Sequence, residues 1–146
     1  MENRLNIISF LTPKEEVAYI YDDNTIGEIL EKMESRRYSV IPVLKRSGEY
    51  LGTLSEGDVL WAIKNLGKVD FKNAPQLLVC DIPRHSDHLS VKIFADTEEL
   101  FEKSLEQNFV PVEDDRGMFI GIVTRGNIIR YYRGMSEGAG FEEKKT

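Results

Sequence analysis

Apolar and polar residues switch between two periods along this chain, and they do so twice in the same order. In the first half the β-branched and aromatic run Val17-Ala18-Tyr19-Ile20-Tyr21 is stopped by Asp22-Asp23-Asn24, which predicts a short strand and a polar turn. Thr25, with Glu28 three residues later, predicts a capping box. Ile26, Ile29, Leu30 and Met33 then follow at helical spacing and give that helix one apolar face. Tyr38 to Leu44 is nearly all apolar and predicts a strand buried on both faces. Pro42 within it has no N–H to donate, so it belongs where the ladder leaves a gap, at an edge or an open cleft. Lys45-Arg46-Ser47-Gly48-Glu49 predicts a hairpin turn and Tyr50 to Leu54 the return strand. Ser55 caps a second helix whose buried side takes Val59, Leu60, Ile63 and Trp61.

The second half repeats that order. Val91-Lys92-Ile93 predicts a strand, and Asp96 or Thr97 caps a helix with Leu100, Phe101 and Leu105, about two residues shorter than its counterpart. Phe109 to Val112 and Met118 to Val123 are the hairpin strands, with the turn at Asp114-Asp115-Arg116-Gly117. Thr124 caps a last helix with Ile128, Ile129 and Tyr132. A constant offset of 69 separates Pro42 from Pro111 (111 − 42), Gly48 from Gly117, Gly52 from Gly121, Ser55 from Thr124 and Asp58 from Asn127. Such register marks an internal duplication of one small unit. Each half is strand, helix, strand, strand, helix. Boundaries follow at 5–66 for the first half, 67–81 for a linker, 82–133 for the second half and 134–146 for a frayed tail. Ile7 to Leu11 is a structural apolar patch, not a signal peptide.

Composition narrows the function. The chain has 146 residues, 41% hydrophobic and 30% charged, which suits a globular protein of two fused halves. Halves of about 60 residues are marginal alone, so a shared interface, and a ligand cleft along it, are expected. The net charge of −6 disfavours a nucleic-acid face or an anionic membrane. No apolar run approaches the roughly 20 residues that span a bilayer. One cysteine, Cys80, cannot form an internal disulfide, and the default compartment is the cytoplasm. Cys80, His85, Asp87 and His88 fit no zinc spacing. Cys80 reads as a small buried side chain and His85-Ser86-Asp87-His88 as an exposed loop. No phosphate-binding loop, catalytic triad or metal set is present, so no catalytic residue is assigned and the chain reads as a non-enzyme.

Apolar-apolar-Pro-Val, a Gly turn, then Gly-apolar-apolar-Ser/Thr-x-x-Asp/Asn resembles the CBS domain, in both halves over roughly residues 5 to 133. The resemblance implies an α+β CBS-domain pair, a Bateman module, with pseudo-symmetric halves packed through their sheets. It implies a regulatory module that binds an adenine nucleotide (AMP, ADP, ATP or cyclic di-AMP) in the cleft between the domains and signals to a protein partner, usually as a homodimer, with no cofactor required. The alternative is a ligand-free scaffold for dimerisation and protein–protein contact.

Carried over by motif, the first cleft takes Val17, Ala18, Tyr19, Tyr38, Ser39, Val40 and Pro42, facing Thr124, Arg125 and Asn127. The second, weaker cleft takes Val91, Asn108, Phe109, Val110 and Pro111, facing Thr53, Ser55 and Asp58. The chemistry suits the ligand. A carboxylate such as Asp58 can accept from both hydroxyls of a ribose, a helix start receives phosphate, and Arg125 adds a cation there. The chain departs from the family at Asn127, where Asp is usual, and has Glu56 where the other half has Arg125. A closer likeness is to small Gram-positive CBS-pair proteins that bind cyclic di-AMP, through Val17-Ala18-Tyr19, Tyr38 to Pro42, Asp81-Ile82-Pro83-Arg84 and Phe119 to Arg125. Those proteins carry a basic residue in place of Glu16 and often another in place of Gly126.

Overall fold

The computed structural model describes residues 6–36, 38–65, 76–84 and 87–138, and the side chains of these residues up to 134. Strands are β1 (Thr12–Pro13), β2 (Ile20–Tyr21), β3 (Val40–Leu44), β4 (Tyr50–Ser55), β5 (Val91–Lys92), β6 (Phe109–Glu113) and β7 (Phe119–Thr124). Helices are α1 (Ile26–Arg36), α2 (Glu56–Asn65), α3 (Thr97–Glu106) and α4 (Arg125–Gly138). The chain forms two compact units. One holds Ala18–Leu89 and Gly117–Phe119; the other holds Met1–Val17, Ser90–Arg116 and Ile120–Thr146. The unit boundaries therefore cut across the duplicated halves, since the segment before Ala18 clusters with the second repeat.

In the Ala18–Leu89 unit the sheet runs β2-β3-β4. β2 lies parallel to β3, with Ile20 opposite Val43, and β4 lies antiparallel, with Val40 opposite Ser55 and Pro42 opposite Thr53. The capping box forms as read. Glu28 N–H donates to Thr25 Oγ1 at 3.2 Å and Thr25 N–H to Glu28 Oε1 at 2.9 Å. Ile26, Ile29 and Met33 of α1 bury against Ile20, Ile41, Val43 and Leu54. Residues Leu77–Cys80 run along the turn before α1. Ile26 N–H donates to Leu77 O at 2.8 Å, Val79 N–H to Asn24 O at 2.9 Å and Cys80 N–H to Asp22 O at 2.9 Å.

In the other unit the sheet runs β1-β7-β6-β5. β5 is parallel to β6, with Val91 opposite Val112, as β2 is to β3. β1 adds antiparallel to the far side of β7, with Thr12 opposite Ile122 and Pro13 opposite Gly121. A 3-10 turn at Ile7–Phe10 buries Ile7 and Phe10. Phe10 packs edge-on against Phe101 and Tyr131, with ring centroids 5.8 and 4.9 Å away.

Several expectations change. The strands opening each half are two residues long, Ile20–Tyr21 and Val91–Lys92, shorter than the apolar runs read from the sequence. Asp96, not Thr97, caps α3, accepting from Glu99 N–H at 3.0 Å. α3 is one residue shorter than α1, with 10 residues against 11. α4 continues through Gly134 to Gly138, into the segment read as a tail. A Cβ at Gly134 would meet nothing within 4 Å, so an exposed glycine is carried there without a packing cost. Leu30, Leu60, Trp61, Leu105, Ile129 and Tyr132, read as facing cores, are exposed. The helices carry a wider apolar arc than each unit covers. Cys80 is exposed as well, because its turn is held by backbone bonds and its side chain has no core to enter. His85, Ser86, residue 66, residues 67–75 of the linker and residues 139–146 lie outside the described residues.

Candidate functional site

Each repeat builds the same local arrangement from a proline strand, its hairpin partner and the following helix. Glu56 N–H donates to Ser39 O at 2.9 Å, and Arg125 N–H donates to Asn108 O at 3.2 Å, 69 residues on. In antiparallel pairing hydrogen-bonded pairs alternate with non-bonded ones. Ser39 with Glu56 is a bonded pair, so Ile41 with Leu54 and Val43 with Gly52 are bonded, and Pro42 with Thr53 is not. Pro42 therefore turns its missing N–H away from β4, toward the side where β2 pairing begins only at Val43. The gap read from Pro42 in the sequence is there.

The helix starts are capped by the motif residues themselves. Ser55 Oγ accepts from Asp58 N–H and Asp58 Oδ2 accepts from Ser55 N–H, both at 3.0 Å. Asp58 is buried, with 6% of its surface exposed. Thr124 Oγ1 accepts from Asn127 N–H at 3.0 Å. Asn127 does more. Its Nδ2 donates to Phe10 O at 3.1 Å and to Thr12 Oγ1 at 2.8 Å, and its Oδ1 accepts from Arg130 at 2.7 Å. Arg125 lies over the end of α3, where Nε donates to Ser104 O at 2.6 Å and Nη2 to Leu105 O at 3.1 Å.

The residues predicted for the two clefts divide between the units. Ala18, Tyr19, Tyr38, Ser39, Val40, Pro42, Thr53, Ser55 and Asp58 belong to the Ala18–Leu89 unit; Val17, Val91, Asn108, Phe109, Val110, Pro111, Thr124, Arg125 and Asn127 belong to the other. Within the first, Ser39–Pro42 lies against Thr53–Glu56. Within the second, Asn108 lies against Arg125. Ser39 and Asn108 are exposed, whereas Phe109, Val110 and Pro111 are buried. Tyr19 packs edge-on against Tyr21 and Phe119, with ring centroids 5.7 and 6.1 Å away.

Three polar residues that the sequence reading did not assign stand beside these. Lys32 Nζ donates to Tyr19 O at 2.7 Å and lies 5.7 Å from the Tyr19 ring centroid. Asp87 Oδ1 accepts from Thr53 N–H at 3.0 Å and from Arg84 Nε at 2.8 Å, and Arg84 Nη2 reaches Asp87 Oδ2 at 3.3 Å. Burial alone pushes the Asp87 carboxyl up, but the Arg84 hydrogen bond, the Thr53 N–H and the nearby positive charges together hold it below its ordinary value. The Asp87 hydrogen bond and its negative charge in turn hold the Arg84 proton more firmly than usual, against the loosening effect of burial. Arg84 lines a cavity of about 480 Å³ with Asp58, Trp61, Asn65, Asp81 and Pro83. A second cavity of about 530 Å³ lies between α1 and α2 and is mostly apolar, with Leu30, Met33, Val59, Leu60 and Ile63. Among the described residues no group of three or more His, Cys, Asp or Glu could hold a metal ion, and no helix is long and apolar enough to cross a membrane.

The sequence matches the CBS domain family over residues 8–65 and 79–134. The chain is 27% identical over 126 residues to the cyclic di-AMP receptor B of Bacillus subtilis (strain 168), covering 83% of this chain and 82% of that protein. It is 26% identical over 145 residues to the chloroplastic CBS domain-containing protein CBSX1 of Arabidopsis thaliana, covering 83% of this chain and 61% of that one. The fold resembles Listeria monocytogenes CbpB, solved in complex with c-di-AMP. The TM-score is 0.76 at 27% identity, over 90% of this chain and 97% of that chain. Four helices and two sheets among the described residues give a mixed α+β fold. Matched in both repeats, the chain belongs to the CBS domain family, as a CBS-domain pair.

Proposed function

We propose that this chain is a non-catalytic regulatory module that binds an adenine nucleotide through its repeated proline-strand and helix-start segments and signals to a protein partner. The observation that carries the reading is the twice-built arrangement at Ser39–Glu56 and Asn108–Arg125. In each copy a proline interrupts the ladder next to a capped helix N-terminus. The first leaves backbone groups for an adenine edge, and the second favours phosphate. The relatives named for cyclic di-AMP support that nucleotide as the first ligand to test, beside AMP, ADP and ATP. The module works in the cytoplasm as a homodimer.

Arg125 gives the phosphate a cation in this reading. Its Nη1 has no hydrogen-bond partner among the described residues, so it can add a phosphate contact without leaving the α3 carbonyls. Isothermal titration calorimetry with the four nucleotides tests the reading. Binding is expected, and Arg125→Ala is expected to cost about 1–3 kcal/mol for phosphate-bearing ligands and much less for adenosine. No heat and no melting shift with any adenine ligand at millimolar concentration removes the proposal.

A ligand-free scaffold is the second reading, and specific contacts favour it. Arg125, Asn127 and Asp58 each spend hydrogen bonds on the protein's own backbone. Capture of the same partners with and without added nucleotide supports that reading over the first.

A further inference from the structure

We propose that the Gly52–Thr53 edge of β4 and the guanidinium of Arg84 form a phosphate-binding subsite that the chain itself fills with the carboxylate of Asp87. The inference rests on the adenine-nucleotide reading and adds where a phosphate group is held and what competes for it.

The edge is open because of strand order. β4 ends the β2-β3-β4 sheet, and Thr53 is opposite Pro42 in a non-bonded pair, so its N–H points outward. Thr53 itself is buried, with 1% exposed. A buried N–H needs a partner, and Asp87 Oδ1 supplies one at 3.0 Å. Gly52 beside it makes the approach possible, since an added Cβ would overlap the Asp87 carboxyl group. Arg84 grips the same carboxylate with two N–H groups, at 2.8 and 3.3 Å. A forked guanidinium and a backbone N–H converging on two anionic oxygens are the donors that a phosphate takes.

The other repeat is an internal control. Its equivalent edge, β7 at Gly121 and Ile122, is covered by the backbone of Thr12 and Pro13, and a Cβ at Gly121 would overlap the Thr12 carbonyl. One edge is thus closed by a strand, and the other by the Asp87 carboxylate on the Thr53 N–H beside a His88 N–H that donates to Thr53 Oγ1 at 3.0 Å. A side chain can be displaced by rotation, whereas a strand cannot.

Placement gives the ligand class. Arg84 also lines the 480 Å³ cavity that contains Asp58 and Trp61. That size suits a small-molecule ligand. The Asp58 carboxylate repels phosphate and accepts from hydroxyls, so the phosphate belongs at Arg84 and the sugar toward Asp58.

The test titrates inorganic phosphate, AMP and adenosine into wild type, Asp87→Ser and the double variant Asp87→Ser/Arg84→Gln, with melting curves to confirm folding. Asp87→Ser should bind AMP about tenfold tighter than wild type, leave adenosine unchanged, and lose the gain in the double variant. A gain for inorganic phosphate as well assigns the subsite to the free anion; a gain for AMP alone assigns it to the nucleotide. Should Asp87→Ser not fold, Asp87→Asn keeps an acceptor for Thr53 N–H and removes the charge that competes, and the same ordering is expected. Equal AMP and adenosine affinities in every variant, or a gain that survives Arg84→Gln, overturn the subsite while adenosine binding leaves the adenine reading standing. No binding by any of the proteins overturns both.

Discussion

Asn127 Nδ2 donates to Thr12 Oγ1 at 2.8 Å, joining the last helix to a segment 115 residues earlier in the chain. The same nitrogen donates to Phe10 O at 3.1 Å. This explains why an amide stands where the family's motif usually has Asp. A carboxylate cannot donate, and it would face the Phe10 carbonyl. Asn127→Asp is therefore expected to destabilise the protein by about 1–3 kcal/mol, the cost of an unpaired half-buried acceptor. Chemical denaturation measures it, and an unchanged midpoint would show that the amide does not hold the segment.

Arg125 has a structural duty separate from any ligand. Its two bonds to Ser104 and Leu105 carbonyls satisfy acceptors that the end of α3 leaves open. Arg125→Ala is expected to lower ligand-free stability by about 1 kcal/mol. Arg125→Lys keeps the charge but not the fork and should recover only part. Comparison of melting curves without ligand checks both.

The two motif glycines should differ in cost. Gly121→Ala drives a Cβ into the Thr12 carbonyl, which belongs to a paired strand, and Gly121 has φ 156° besides. Gly52→Ala drives its Cβ into the Asp87 side chain, which can rotate away at the loss of its bond to Thr53. Expected losses are about 3 kcal/mol for Gly121→Ala and about 1 kcal/mol for Gly52→Ala. Urea titrations rank them, and the reverse order contradicts the packing described at these edges.

Asp87 makes a pH prediction with a definite sign. Its folded pKa lies below the ordinary 3.8 through Arg84 and Thr53, against the upward push of burial. Such a group contributes stability that is present above the unfolded pKa and is lost as pH falls through the folded one. The loss attributable to Asp87 therefore falls below about pH 3.8. Asp87→Asn should flatten the stability profile there and leave the slope at neutral pH unchanged. Melting temperatures from pH 2 to 7 are the readout, with urea added if the protein is too stable.

Repetition and local periodicity made the fold legible. The 69-residue register located both hairpins, with positive φ at the turn glycines Gly48 and Gly117, and the Thr25–Glu28 box formed as spaced. Pro42 announced its own ladder gap. Other features have no short-range signature. β1 is two residues, too brief for any period, and its pairing with β7 spans more than 100 positions. Apolar spacing placed Leu60 and Ile129 on helices but could not say that their unit leaves them exposed. For the candidate site, the motif gave the caps at Ser55 and Thr124 but not where Arg125 and Asn127 direct their donors, since those acceptors lie on other elements. Arg84 was visible within Ile82-Pro83-Arg84, but its pairing with Asp87 at Thr53 depends on a glycine 35 positions before Asp87 (87 − 52).

An amide-resolved NMR titration of the ¹⁵N-labelled protein with AMP and with cyclic di-AMP tests the central claim most directly. The account predicts saturable shifts concentrated at the amides of Val40, Ser55 and Glu56, of Asn108 and of Thr124 and Arg125, for at least one of the two nucleotides. Spectra that stay unchanged at millimolar nucleotide, or shifts confined to residues remote from these segments, would contradict it.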